Sequence, residues 1–167
     1  MAIYKRLANL TGSSSENELK YFRGKLQSII TGNRVDALDE YTLAHVHWQL
    51  GEELDSQWHL DQAWKHDKDF AKIADPLAKA FFVDDTEWAL KLAEKSIEAS
   101  PSVYAYHETK GSILLNQSKF EEAILELTLA LSPKTNNRAI HEKIAVAYQN
   151  LGDLKRSKYH EKQSKTD

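Results

Sequence analysis

The sequence predicts an all-α protein built from stacked helix hairpins, and three observations carry that prediction. The segments around Gly111 and Ala145, His107-x-x-Lys110-Gly111-x-x-Leu114 and His141-x-x-Ile144-Ala145-x-x-Tyr148, lie 34 residues apart and are two copies of one helical pattern. Small residues recur in phase after each hairpin turn, at Ser56, Ala89, Ala123 and Ser157, and again seven residues further on, at Ala63, Ser96, Ala130 and Ser164. Gly and Pro number only 6 and 3 in 167 residues, too few for a sheet-rich fold with many tight turns. A period in the thirties means that each unit is a hairpin too small to bury its own apolar face, so successive units must stack to share a core. Such a stack presents an extended concave surface, which points to binding rather than chemistry.

Helices are expected at about 2–10, 16–31, 36–50, 54–66, 69–82, 85–99, 102–117, 119–131, 136–150 and 153–164. Ser15 precedes Glu18 in capping-box spacing, Gly32-Asn33 and Gly51 can supply left-handed stops, and Pro101 and Pro133 bar helix continuation. Residues 16–31 carry the apolar spacing Leu19, Phe22, Leu26, Ile29 and Ile30, which suits the second helix of an incomplete first unit. The tripeptide Leu50-Gly51-Glu52 recurs as Leu151-Gly152-Asp153, with Asp84 and Ser118 at the intervening turns. Pro76 falls inside a helix, where it removes a backbone hydrogen bond and kinks or shortens it. The small-residue stripe lets a neighbouring helix approach closely. The last helix, LKRSKYHEKQSKTD, is mostly polar, as a terminal cap facing water should be.

This pattern resembles the tetratricopeptide repeat, a 34-residue helix-turn-helix unit with the signature Trp-x-x-Leu-Gly-x-x-Tyr, then Ala-x-x-x-Phe, then Pro. The best copy runs from Tyr104 to Pro133, through Lys110, Gly111, Leu114, Phe120, Ala123, Leu127 and Ala130, with His107 and Lys110 where large apolar residues are usual. The resemblance implies a right-handed α-α superhelix, a solenoid of antiparallel hairpins. It divides the chain into N-terminal helices over 1–36, a partial repeat, and one continuous domain over 37–167 with repeats at about 37–69, 70–103, 104–137 and 138–167.

Composition excludes several function classes. The net charge is −3, with Lys and Arg spread along the chain, so no basic field suits it to nucleic acid. No Cys occurs, which removes disulfides, thiolate chemistry and cysteine-ligated zinc. The N-terminus has neither the apolar core nor the cleavage pattern of a signal peptide, and no stretch approaches a membrane span, so a soluble, cytoplasmic protein is expected.

No catalytic or cofactor site is expected. His107-Glu108 and His141-Glu142 begin like a zinc-protease helix motif, but Gly111 and Ala145 stand where the second His should be. His45 and His47 diverge by about 200° on a helix and cannot chelate one ion. His59 and His66 share a face, yet no carboxylate or third His at ligand spacing accompanies them. Gly-x-Ser-x-Gly is absent, and Thr11-Gly12-Ser13-Ser14-Ser15 lacks the second Gly and the Lys of a P-loop.

In the resembled family the first helix of each hairpin lines the concave groove. Carried over residue by residue, that groove takes Tyr41, His45 and Trp48 from the first repeat and Ala74, Ala78, Phe81 and Phe82 from the second. The third adds Glu108, Ser112, Leu115 and Asn116, and the fourth Glu142, Val146, Gln149 and Asn150. Its N-terminal end would be aromatic and its C-terminal end mildly acidic. Family members that grip the carboxylate tails of chaperones use Lys, Asn and Arg here. Tyr41/His45, Ala74/Ala78, Glu108/Ser112 and Glu142/Val146 occupy those places, so no chaperone-tail ligand is expected. The expected function is noncatalytic protein or peptide binding in the groove; the alternative is assembly, by self-association or by docking within a longer repeat protein.

Overall fold

The computed structural model describes residues 15–30, 36–133 and 137–166. All its elements are helical, as expected, and the chain divides into two compact units, Met1–Phe70 and Ala71–Asp167. The expected helix at 2–10 and the Gly32-Asn33 stop lie outside the described residues.

In the first unit, α1 (Glu16–Ile30) packs on α2 (Ala37–Gln49), and α2 forms a hairpin with α3 (Glu53–His66), closed by a 3-10 turn at Lys68–Phe70. The Ser15 capping box forms: the Glu18 N–H donates to Ser15 Oγ at 3.4 Å and the Ser15 N–H to the Glu18 carboxylate at 2.9 Å. Asp36 and Asp39 form a second, reciprocal box that fixes the start of α2. Such caps satisfy amide groups with no intrahelical partner, each worth about 1 kcal/mol. Leu26, Leu43 and Val46 form the core, with Leu50 packed against it. From Ala37 to His47 only Leu38 escapes burial, so α2 lacks a solvated face despite carrying Asp39, Glu40, Thr42, His45 and His47.

The second unit contains three hairpins: α4 (Ala71–Phe81) with α5 (Thr86–Ala99), α6 (Tyr104–Asn116) with α7 (Phe120–Leu129), and α8 (Arg138–Asn150) with α9 (Leu154–Thr166). Helix α5 also packs on α6 and α7 on α8, while the first helices touch in sequence, α4 on α6 and α6 on α8. Helix α4 runs through Pro76 but is only 11 residues long, starting after the 3-10 turn, so the expected shortening is observed. Asp85 caps α5 by accepting from the Trp88 N–H at 3.0 Å. The turns at Gly51, Ser118 and Gly152 reverse the chain with φ of 74°, 60° and 77°, a left-handed conformation that glycine adopts without a steric penalty.

All eight members of the small-residue stripe are buried, from Ser56 to Ser164. A larger side chain at any of them would hold the hairpins apart. In the last two hairpins Leu127, Ala130, Ile140 and Ile144 form one cluster, with Ile124, Leu131 and Tyr148 against it. Of α9 only Ser157 and Ser164 are buried, so the last helix does present a polar surface to water. No described helix is long and apolar enough to cross a membrane.

Candidate functional site

The inner helices α4, α6 and α8 of the second unit open a cleft of about 370 Å³ lined by Lys79, Phe82, Glu108, Thr109, Ser112, Ile113 and Lys143. Its charged groups are fixed by bonds along and between these helices. Thr109 Oγ1 lies 2.6 Å from Asp75 Oδ1 and 3.0 Å from the Ala105 carbonyl oxygen; its single proton is better placed on the closer, charged acceptor. Lys79 donates to the other Asp75 oxygen at 2.7 Å, so both oxygens of this buried carboxylate are engaged. Lys143 on α8 reaches Glu108 on α6 at 2.7 Å, and Ser112 Oγ donates back to the Glu108 carbonyl at 2.7 Å. Apolar Phe82 and Ile113 therefore sit beside two balanced ion pairs. That combination suits a polypeptide segment carrying an apolar side chain and hydrogen-bonding groups.

The sequence-derived groove meets this cleft in part. Phe82, Glu108 and Ser112 line it. Phe81 and Leu115 are half-buried and Asn116 is exposed, none of them in the cleft wall. Ala74 and Ala78 are fully buried beneath the surface, so the expectation that they offer groove contacts is corrected. Tyr41 and His45 need the same correction. They are buried and stacked on each other at 6.4 Å, with Phe70 tilted against Tyr41 at 5.8 Å, leaving only half-buried Trp48 of the first-repeat set with substantial exposure. On α8 the expected stripe is exposed, but Glu142 pairs with Arg138 at 3.2 Å, Asn150 donates to the Val146 carbonyl, and neither Val146 nor Gln149 reaches the cleft; Lys143 does.

A scan against protein-family models returns no match, and neither does a search of curated proteins. Solved structures do match. A point mutant of MamA superposes with a TM-score of 0.67 at 24% identity, over 79% of this chain and 97% of that one. MamA AMB-1 gives 0.57 at 22% identity, covering 89% of each chain. A further MamA crystal structure gives 0.59 at 14% identity, over 90% and 89%. The chain shares the MamA fold. MamA is a TPR-like helical repeat protein, so at these identities the MamA likeness supports the all-helical repeat architecture and nothing finer.

Reading the sequence missed Lys79, Thr109, Ile113 and Lys143. A signal for two of them existed: Asp75, Thr109 and Lys143 are successive members of one 34-residue register, and equivalent positions on adjacent inner helices are neighbours. Tyr41 holds the same place in the first repeat.

A second set of polar contacts joins the two helices of individual hairpins at a constant spacing of 19 residues. Glu40 receives His59 Nδ1 at 2.7 Å, His107 Nδ1 meets Glu126 at 2.7 Å, and His141 Nδ1 meets His160 Nδ1 at 2.9 Å. His59 and His66 thus do have a carboxylate, Glu40, although it comes from the facing helix, with His66 Nε2 at 3.8 Å. His107 also places Nε2 2.9 Å from the Pro101 carbonyl oxygen. Burial alone would raise Glu126, yet its bonds from His107 and Lys110 hold its carboxyl below the usual range. Burial would likewise lower Lys110, but Glu126 at 3.0 Å and Glu94 at 3.4 Å raise it instead.

His160 is shifted the other way: burial, and then the neighbouring His141, push its pKa down. The folded chain therefore resists a proton that the unfolded chain accepts. The contribution from neutral His160 is present above the unfolded value of about 6.5 and is lost as pH falls from there through the lower folded value. Urea unfolding should show lower stability at pH 5.5 than at pH 7.5, and His160→Gln should flatten that difference. An equal pH dependence in the variant would exclude His160 as its source.

Proposed function

We propose that the chain is a noncatalytic protein-interaction module whose second unit binds a polypeptide segment in the cleft of α4, α6 and α8. The observation that carries this reading is the open cleft itself, with Phe82 and Ile113 beside the paired charges Lys79–Asp75 and Lys143–Glu108. An apolar side chain against half-buried Phe82 would supply most of the affinity, and the fixed charges would set orientation. The remaining groove residues carried over from the resembled family, Leu115, Asn116, Glu142, Val146, Gln149 and Asn150, would serve as flanking contacts. Chaperone carboxylate tails are not the expected ligand, because both cleft lysines are already matched to acids and a terminal carboxylate would have to displace one of them.

Ser112→Arg tests the proposal by filling the cleft from its wall. Partners captured by the wild-type chain should bind at least tenfold more weakly to the variant, once circular dichroism shows that its helices are intact. Equal capture of the same partners would remove the cleft from consideration. Self-association is the second reading, favoured by Leu125 and Leu129, which stand 67% and 56% exposed one turn apart on α7. Including Leu125→Glu/Leu129→Glu in the same comparison, with sedimentation at several concentrations, separates the two. A wild-type chain that stays monomeric throughout counts against assembly.

A further inference from the structure

We propose that His141 on α8 and His160 on α9 form a two-imidazole site for a late first-row divalent metal ion, of the class of Zn2+, Ni2+ or Cu2+. In the first and third repeats the 19-residue pairing joins an imidazole to a carboxylate, as in Glu40–His59 and His107–Glu126. In the last repeat the carboxylate is replaced by a second imidazole. The substitution changes the chemistry of the position. Two neutral imidazoles joined by an Nδ1–H···Nδ1 bond present two Nδ1 lone pairs once the donor ring carries its proton on Nε2 instead, a tautomer change that leaves both rings neutral.

The distance fits an ion. The two Nδ1 atoms are 2.9 Å apart, with ring centroids at 5.1 Å and planes at 41°. Metal–imidazole bonds of about 2.0–2.1 Å place two adjacent ligand nitrogens about 2.9–3.4 Å apart, from square-planar to tetrahedral geometry. Binding requires the rings to tilt so that their lone pairs converge beside the line joining them. Both rings are half-buried, which leaves room for this and for water ligands. Arg156 lies over the Tyr148 ring at 4.7 Å and is paired with Asp153 at 2.5 Å. Tyr148 stacks on His160 at 5.7 Å and Tyr159 meets its edge at 5.1 Å, so aromatic rings flank the site. A nitrogen-only donor set selects imidazole-seeking ions over Mg2+ and Ca2+.

The cluster of His47, Glu52 and Asp55 gathers donor atoms within 4.8 Å of one another, but it is the weaker candidate. Arg23 on α1 already contacts both Glu52 oxygens at 2.6 Å, so its guanidinium stands where an ion would have to go.

The test is a calorimetric titration of the metal-stripped full chain with Zn2+ and Ni2+ at pH 7.5, accompanied by thermal melts. One ion per chain should bind, and saturating Zn2+ should raise the melting midpoint by about 3 °C or more. His141→Gln and His160→Gln should each weaken binding at least tenfold, while His47→Gln should leave it unchanged and Mg2+ should have no effect. Undiminished binding in either of the first two variants, loss in His47→Gln, an equal response to Mg2+, or no binding at all would overturn the proposal. Should the variants unfold, ring-proton NMR of the wild-type chain decides: Zn2+ must shift the His141 and His160 signals, and a shift confined to other histidines overturns the site.

Discussion

Gly111→Leu will lower the unfolding free energy of the second unit by more than about 3 kcal/mol, at the upper end of the cost of overpacking a close-packed interior. A Cβ at position 111 would lie 2.7 Å from Leu127 Cγ, 3.0 Å from Leu127 Cδ2 and 3.1 Å from the Leu127 backbone nitrogen. The first two atoms belong to a fully buried side chain with little freedom to turn, and the third cannot retreat unless α7 itself moves. Glycine at this helix position is thus explained by the crossing of α6 and α7. Alanine has a helix-propensity advantage of about 1 kcal/mol, so Gly111→Ala should be the milder variant, destabilising by about 1–2 kcal/mol net. Urea denaturation followed by circular dichroism checks both. Gly111→Ala as stable as the wild type would mean that the helices do not approach so closely. Leu127→Ala should be less costly in the Gly111→Ala background than alone, because the two substitutions act on one contact.

The same comparison explains why Ala145 stands in the equivalent place 34 residues on. The counterpart of Leu127 there is Glu161, an exposed residue, so the last hairpin has no buried leucine to accommodate. The repeat and its stripe of small residues were legible for this reason: close helix approach imposes a size limit at the same register in each unit, and a size limit recurs in sequence. Side-chain partners leave a fainter trace. His107 stood out as a departure from the expected apolar residue, but its partner Glu126 is 19 residues away on the facing helix, beyond the i, i+3 and i+4 spacings by which contacts along one helix are recognised. The absence of a carboxylate beside His59 and His66 was misread in the same way, since Glu40 reaches them from α2.

The candidate cleft was half legible. Glu108 and Ser112 follow from the position of α6 as an inner helix, but on α8 the cleft takes Lys143, the counterpart of Thr109, and not the expected Glu142 one residue before it. One residue on an α-helix turns the side chain by about 100°, enough to change the sign of the charge facing a ligand. Tyr41 and His45 failed as groove residues for a different cause. They sit on α2, which is buried on nearly all sides, and no helical periodicity distinguishes such a helix from one with a single working face.

Trp88→Ala should produce the other large effect, a loss of about 3–5 kcal/mol, comparable with the whole stability of a marginal domain. Trp88 is fully buried on α5, which packs on both α4 and α6, so truncation opens a cavity in the interior. The residue also lies in the first turn of its helix, where its N–H donates to the Asp85 cap, but the backbone donor survives substitution and the cap should persist. The loss is therefore one of packing. Trp88→Phe, which refills most of the space, should recover more than half of it. The other three tryptophans, Trp48, Trp58 and Trp64, lie in the first unit, so fluorescence of Trp88→Ala follows that unit alone while circular dichroism follows both. An unfolding midpoint unchanged by Trp88→Ala would show that the site collapses around the missing ring. A large loss fully retained in Trp88→Phe would show instead that the indole contributes through more than its volume.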